Sequence, residues 1–376
     1  MCMFLCECEN FFHLLLPFPF SLSLSLFFFT LSFTLSYHFL DLPHSPFIHT
    51  SHPVHCFIIS YQVQHQENAH RMPCHNIKKF RIVLLDLNKS ICDAWTKSVH
   101  DFNRTAYSTK NLVWFDVPVE IHVHNGSFAS LADELKLQPT LKYEGQHGYH
   151  QQISRNYATT TILSPGNSIG YMGGGFDKAL ANLFSHGDFG WRHTEKHVQS
   201  QLLDLYKGYL TPENANLIEF STDSFYCDSK AWNTLSANSI LHMPTMRVPR
   251  PLTTATSVIE QYRYVFDCTW ELLSTVNKAN IETLKWEDDR HAVINTMVLT
   301  GIGTGYGGIP VQIVGKAMVA AIVIFTNHAL LRIQKSIYCL KFLREDYEKL
   351  IKADELNVRV NTDKYDPEID SLDKLF

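Results

Sequence analysis

Two glycine-rich segments constrain this chain more than any other feature. Each directly follows an apolar stretch and directly precedes a helical pattern. The first is SPGNSIGYMGGGFD, residues 164–177, and the second is TGIGTGYGGIP, residues 300–310. Strand, glycines, then helix is an arrangement that holds phosphates. Glycine lets the backbone approach a ligand and aim N–H groups at it, and the helix start adds a partial positive charge. A plain strand-to-helix turn needs only one or two glycines. Three in succession, Gly173, Gly174 and Gly175, exceed that need, because each raises the entropy cost of ordering the chain. Asp177 reads equally well as a helix-start residue that favours the dipole. In the second segment Gly303, Gly305 and Gly308 formally match the dinucleotide fingerprint. A lone match is weak, it lies late in the chain, and no acidic residue follows about 20 positions on, so a Rossmann dehydrogenase is not expected. A P-loop motif is absent as well.

The pattern around these segments alternates strands and helices. Residues 80–86 read as a buried first strand, followed by a helix with Ile91, Trp95 and Val99 on one face. Strands are also expected at 119–123, 160–163, 239–243 and 291–299, and helices from about 176, at 191–207, at 256–276 and from about 311. Residues 133–159 are polar and read as an insertion, and 340–350 is an amphipathic stretch in an acidic tail. Alternation of this kind predicts an α/β fold with helices on both faces of a sheet.

Residues 1–71 differ from the rest. They hold 12 of the 25 Phe but only five charged residues, and 11–40 carry no charge. That length suits a membrane span, yet the preceding flank is acidic (Glu7, Glu9) and Pro17 and Pro19 interrupt any helix. Residues 14–29 contain only Leu, Pro, Phe and Ser, all encodable by pyrimidines alone. We therefore read 1–71 as a non-globular segment arising from spurious translation, with the protein proper being 72–376. A cytoplasmic or nuclear protein is then expected, not a secreted or membrane one. Nine scattered cysteines read as free thiols, and a net charge of −5 gives no basis for nucleic-acid binding.

At these residues the chain resembles the macro domain family, with most likeness to a fungal and bacteriophage-type branch that processes ADP-ribose-1″-phosphate. Four blocks carry the resemblance: RIVLLD (81–86) with Ala94 and Trp95, residues 164–177, PTMRVP (244–249) and residues 301–310. It covers a core of roughly 80–325. It implies a three-layer α/β/α fold with a mixed central sheet and a cleft for ADP-ribose at the strand ends. It points to Asn167 at the distal ribose, to Gly173, Gly174 and Gly175 beside that ribose and the phosphates, and to Asp177 orienting or activating a water. Gly303, Thr304, Gly305, Tyr306 and Gly307 would wrap the diphosphate. Two departures stand out. Ser127 occupies the place where many macro domains carry an Asp for the adenine amine, leaving adenine to another residue. Gly307 stands where many relatives have an aromatic, with Tyr306 as its substitute.

The expected activity is hydrolysis of ADP-ribose-1″-phosphate to ADP-ribose and phosphate, with Asn167 and Asp177 as the catalytic pair. Hydrolysis of ADP-ribose from modified protein and non-catalytic ADP-ribose binding are the alternatives. The expected partners are ADP-ribose, ADP-ribose-1″-phosphate or an ADP-ribosylated protein, with no cofactor. Arg247 reads as a structural brace. Among 20 histidines, His186, His193, His197 and His242 read as chance placements, and no metal is expected because 193–197 does not complete a zinc-binding pattern.

Overall fold

The computed structural model describes residues 77–137, 158–220, 229–253, 256–285, 293–348 and 360–376. All belong to the unit Asn68–Phe376. Residues 1–71, most of the expected insertion (138–157) and His291 lie outside the described residues.

Strand β1 (Phe80–Asp86) is buried along nearly its whole length. A parallel strand sandwiched between helices has both faces covered, so its sequence runs apolar rather than alternating. β1 pairs in parallel with β3 (Val117–Asn125) and with β7 (Val293–Leu299). β4 (Ala158–Ser164) pairs in parallel with β7 and with β6 (Ala237–His242). Antiparallel strands form the edges: β2 (Val113–Trp114) on β3 and β5 (Asn216–Glu219) on β6. The order β2-β3-β1-β7-β4-β6-β5 makes a mixed seven-stranded sheet with a parallel interior.

Period-two alternation sends successive side chains to opposite faces of this sheet. Ile82, Leu84, Leu163, Leu241, Met297 and Leu299 join one apolar core, while Val83, Leu85, Ile162, Ile240 and Val298 join a second. Helices α1 (Lys89–Asn103), α6 (Val258–Lys285) and α7 (Val311–Thr326) supply the first core. Helices α2 (Phe128–Leu135), α3 (Gly175–Phe184), α4 (Gly190–Leu205) and α5 (Lys230–Leu235) supply the second. The fold is therefore the three-layer α/β/α arrangement expected from the sequence.

In α1, Ile91 and Trp95 are buried and Val99 packs against them, as the spacing predicts. The Asn88 side chain accepts from the Ser90 N–H at 3.0 Å and caps the helix. α7 is apolar nearly all round because it lies among α1, α6 and the sheet. Its contact with α1 is close: a Cβ on Gly315 would lie 2.6 Å from the Cβ of Ala94.

Three regions differ from the sequence expectation. Residues 128–135 form α2, which reaches into the first three residues of the expected insertion, with Ser127 as its N-cap and Leu131 in the core. Within the amphipathic stretch 340–350, residues 343–347 are not helical, and 349–350 lie outside the described residues. Helix α8 (Arg332–Phe342) ends there, Arg344 takes a left-handed φ of 55°, and Arg263 Nε donates to the Leu343 carbonyl at 2.9 Å. Residues 360–376 hold only one short 3₁₀ turn and fold back on the core. The buried Lys341 ammonium pins them by donating to the carbonyls of Asn361 and Leu375, both at 2.9 Å. Burial lowers the pKa of Lys341 to about 8. No helix among the described residues is long and apolar enough to cross a membrane.

Candidate functional site

A cleft of about 990 Å³ opens at the C-terminal ends of the parallel strands. Ligands of open parallel sheets lie at this end, where strand ends, loops and helix N-termini converge. Five segments line it: the end of β1 (Asp86), the loop into α2 (Gly126, Ser127, Phe128), the turn after β4, Thr245 with Met246, and the turn after β7. The structure brings together all the residues singled out in the sequence: Asn167, Gly173, Gly174, Gly175, Asp177, Gly303, Thr304, Gly305, Tyr306 and Gly307 all face this one cleft. β4 and β7 are paired parallel neighbours, which is why turns far apart in sequence line the same cleft.

The glycines of these turns fall into two groups. A Cβ on Gly307 would lie 2.5 Å from the Gly303 carbonyl oxygen, and one on Gly303 would lie 2.7 Å from Ile309, at a φ of +75°. Those two are glycine for reasons internal to the turn. Gly174 and Gly305 have no protein atom within 4 Å of an added Cβ. The folded chain leaves open space at both, one on each turn. Gly174 is also the N-cap of α3, and no side chain caps that helix start. Its first N–H groups are thus available to an anion at the cleft. Tyr306 and Tyr171 stand 71% and 58% exposed at the cleft wall, offering flat surfaces to a ring.

Asn167 is buried, and its amide is largely engaged in its own loop. Oδ1 accepts from the N–H groups of Ile169 at 3.1 Å and Tyr171 at 3.3 Å, and Nδ2 donates to the Tyr171 carbonyl at 2.9 Å. One Nδ2 hydrogen remains for a ligand. The 244–249 block buttresses this loop: Thr245 N–H donates to Gly166 O, and Ser168 N–H donates to Met246 O. Arg247 does not line the cleft, and its Nε donates to the Tyr209 hydroxyl at 3.1 Å.

The family model of the macro-like domain matches residues 65–353, well over half of the chain. This chain belongs to the macro-like domain family.

Beneath the cleft of this macro-like domain runs a hydrogen-bonded chain that sequence reading did not anticipate. The Asp177 carboxyl is 2.9 Å from Ser164 Oγ, Ser164 Oγ is 3.1 Å from His242 Nδ1, and His242 Nε2 is 3.3 Å from the Asn167 carbonyl. His242 is fully buried, and burial lowers its pKa to about 4, so the ring is neutral near pH 7. Desolvation raises the pKa of the half-buried Asp177 to about 7, despite the opposing hydrogen bond from Ser164. Ser164 has one hydroxyl proton for two neighbours. A neutral ring whose Nε2 donates to a carbonyl accepts at Nδ1, so the Ser164 O–H turns to His242 when Asp177 is protonated and to the Asp177 carboxylate when it is ionised.

The Ser164–His242 pairing is invisible until β4 and β6 are known to be neighbours, where these two residues stand in register. Asp86 was also missed as a site residue. It lines the cleft beside Ser127, and its Oδ2 accepts from Thr300 Oγ1 at 3.0 Å. Ser127 itself is occupied as the N-cap of α2. Phe128 and Phe176, with ring centroids 5.2 Å apart, join the α2 entry to the triple-glycine turn as an apolar wall. His186, His193 and His197 do not line the cleft.

Proposed function

We propose that this macro-like domain binds ADP-ribose and hydrolyses ADP-ribose-1″-phosphate to ADP-ribose and phosphate, as the likeness to the fungal and bacteriophage-type branch suggests. The observation that carries the reading is a pair of open glycines in one cleft, Gly174 and Gly305, on turns that each lead into a helix. The diphosphate lies along 303–307, the distal ribose sits against Asn167, Gly173, Gly174 and Gly175, and the 1″-phosphate meets the N–H groups at the start of α3. Adenine lies toward Ser127, with the carboxylate of Asp86 as the acceptor for its amine.

A phosphate monoester needs water at phosphorus and a proton for the leaving oxygen. Beside a phosphate dianion the like charge raises a carboxyl pKa further, so the group is held protonated and is not available as a base. Asp177, whose pKa burial raises to about 7, instead gives its proton to the 1″ oxygen as the P–O bond breaks. Ser164 then turns its O–H to the new carboxylate and stabilises it. Solvent water supplies the oxygen that joins phosphorus, and its released proton restores the acid.

One observation favours plain binding: Asn167 spends most of its hydrogen-bonding capacity on its own loop and has little left for chemistry. The test is turnover by the full chain of ADP-ribose-1″-phosphate and, separately, of mono-ADP-ribosylated protein. Phosphate release from the first supports the proposal. Release of ADP-ribose from the second alone assigns the site to protein deribosylation. Binding without turnover of either makes the chain a non-catalytic reader.

A further inference from the structure

Behind the cleft wall, β3 and α2 bring two imidazoles and a carboxylate together. His122 and His124 lie two residues apart on β3, so both side chains leave the same face of the sheet. Glu134, in the last turn of α2, reaches both: its Oε1 is 3.1 Å from His122 Nε2 and its Oε2 is 2.5 Å from His124 Nδ1. One ligand atom from each of the three residues lies within 4.8 Å of the other two.

Two details go beyond an ordinary histidine–carboxylate pair. The first concerns the His124 tautomer. Ser130 Oγ lies 3.0 Å from the Ser127 carbonyl and 2.9 Å from His124 Nε2. With the hydroxyl proton on the carbonyl, His124 Nε2 is the donor, and Nδ1 meets the Glu134 carboxylate oxygen 2.5 Å away through a proton or a metal ion held between them. The second concerns His122 Nε2. It is buried and has no hydrogen-bond partner among the described residues, although Glu134 Oε1 is only 3.1 Å away. The contact is close but misaligned for a proton. A metal ion needs no such alignment, because tetrahedral ligands meet at an angle around it.

We propose that His122 Nε2, His124 Nδ1 and Glu134 bind a borderline divalent cation, Zn²⁺ above all, which clamps β3 to α2 behind the Ser127 loop. Two imidazoles with one carboxylate form a ligand set suited to Zn²⁺, with water as a fourth ligand. Ser130 holds the non-ligating nitrogen of His124, the support that metal-bound imidazoles usually receive. Ligands about 2.0–2.2 Å from one ion stand roughly 3.4 Å apart in a tetrahedron. The half-exposed Glu134 side chain must therefore withdraw slightly from His124 to admit the ion, and its exposure leaves it room. The sequence signal was His-x-His on a strand with an acid ten residues on, a different spacing from the helical pattern that was considered and rejected at 193–197. The proposal departs from the expectation of no metal and is independent of what the cleft binds.

The test is calorimetric titration of ZnCl₂ into chelator-stripped full-length protein, repeated on H122A, H124A and E134Q. Co²⁺ titration followed by visible absorption reports the coordination directly. One tight site is expected, weakened about 10–100-fold or more in each variant, with a tetrahedral Co²⁺ spectrum that all three abolish. Far-ultraviolet circular dichroism identifies any variant that fails to fold. For such a variant, loss of the zinc-induced rise in thermal midpoint in H122Q replaces the readout. Wild-type protein with no tight zinc site, or variants with undiminished affinity and stoichiometry, would overturn the assignment and leave Glu134 as a partner of the two imidazoles alone.

Discussion

Gly305 and Gly307, two residues apart, should respond in opposite ways to the same methyl group. Gly305→Ala puts a Cβ into open cleft, so its folding free energy should stay within about 0.5 kcal/mol of wild type. Its ADP-ribose affinity should fall at least tenfold, because the methyl occupies the diphosphate path. Gly307→Ala drives a Cβ onto the Gly303 carbonyl and should cost about 1–3 kcal/mol in denaturant unfolding. Asp177 gives a pH signature. Its folded pKa of about 7 lies above its ordinary value, so the native state holds a proton that the unfolded chain releases. Its contribution to stability is full below the ordinary carboxylate range and is lost as pH rises toward 7. Asp177→Asn should therefore gain stability relative to wild type between pH 5 and pH 8, on the order of 1–2 kcal/mol after allowance for partial exposure. If Asp177 is the proton donor proposed above, turnover should fall as pH rises through about 7, and the Asn variant should lose about 10²–10⁴-fold in kcat. His242 has the opposite sign. Its lowered pKa makes stability fall as pH drops from its ordinary range toward 4, so the two groups oppose each other in the wild type between pH 5 and pH 8, and unfolding of Asp177→Asn at both pH values isolates the His242 contribution.

At the scale of elements, α7 depends on a single close approach. Gly315 lets it lie against Ala94 of α1, and Gly315→Ala should cost about 1–3 kcal/mol with no direct effect on the cleft. Thermal unfolding alongside ADP-ribose titration checks both halves of that statement. The strands and helices that bury long apolar faces were legible in the sequence, because β1, α1, β4, β6, α6, β7 and α7 each repeat their period over several residues. Elements set by short or tertiary features were not. β2 has only two residues and β5 four. α2 has a single fully buried side chain, Leu131, and its polar end, Asp133 and Glu134, runs into the polar stretch that follows it. The end of the chain misled for a different reason. Its amphipathic pattern is real, but Arg263 captures the Leu343 carbonyl and Lys341 captures the returning tail, so tertiary contacts stop the helix. The His122–His124–Glu134 cluster was equally hidden, since its third member comes from an element the sequence did not reveal.

At the scale of the whole molecule, the sheet order makes the site. β4 and β7 lie side by side at the centre, so the two glycine-rich turns and the starts of α3 and α7 open on the same side. The glycines themselves could be read from sequence, but their meeting in one cleft could not, because it depends on which strands pair. The same order places Ser164 against His242 and so sets the protonation chain under Asp177. The measurement that bears most directly on the cleft is calorimetric titration of ADP-ribose into the full chain, with Gly305→Ala in parallel. The expected result is one saturable site in the wild type and at least a tenfold loss in the variant at unchanged thermal stability. No saturable binding to the wild type, or equal binding by both proteins, would contradict an ADP-ribose diphosphate held between the two turns.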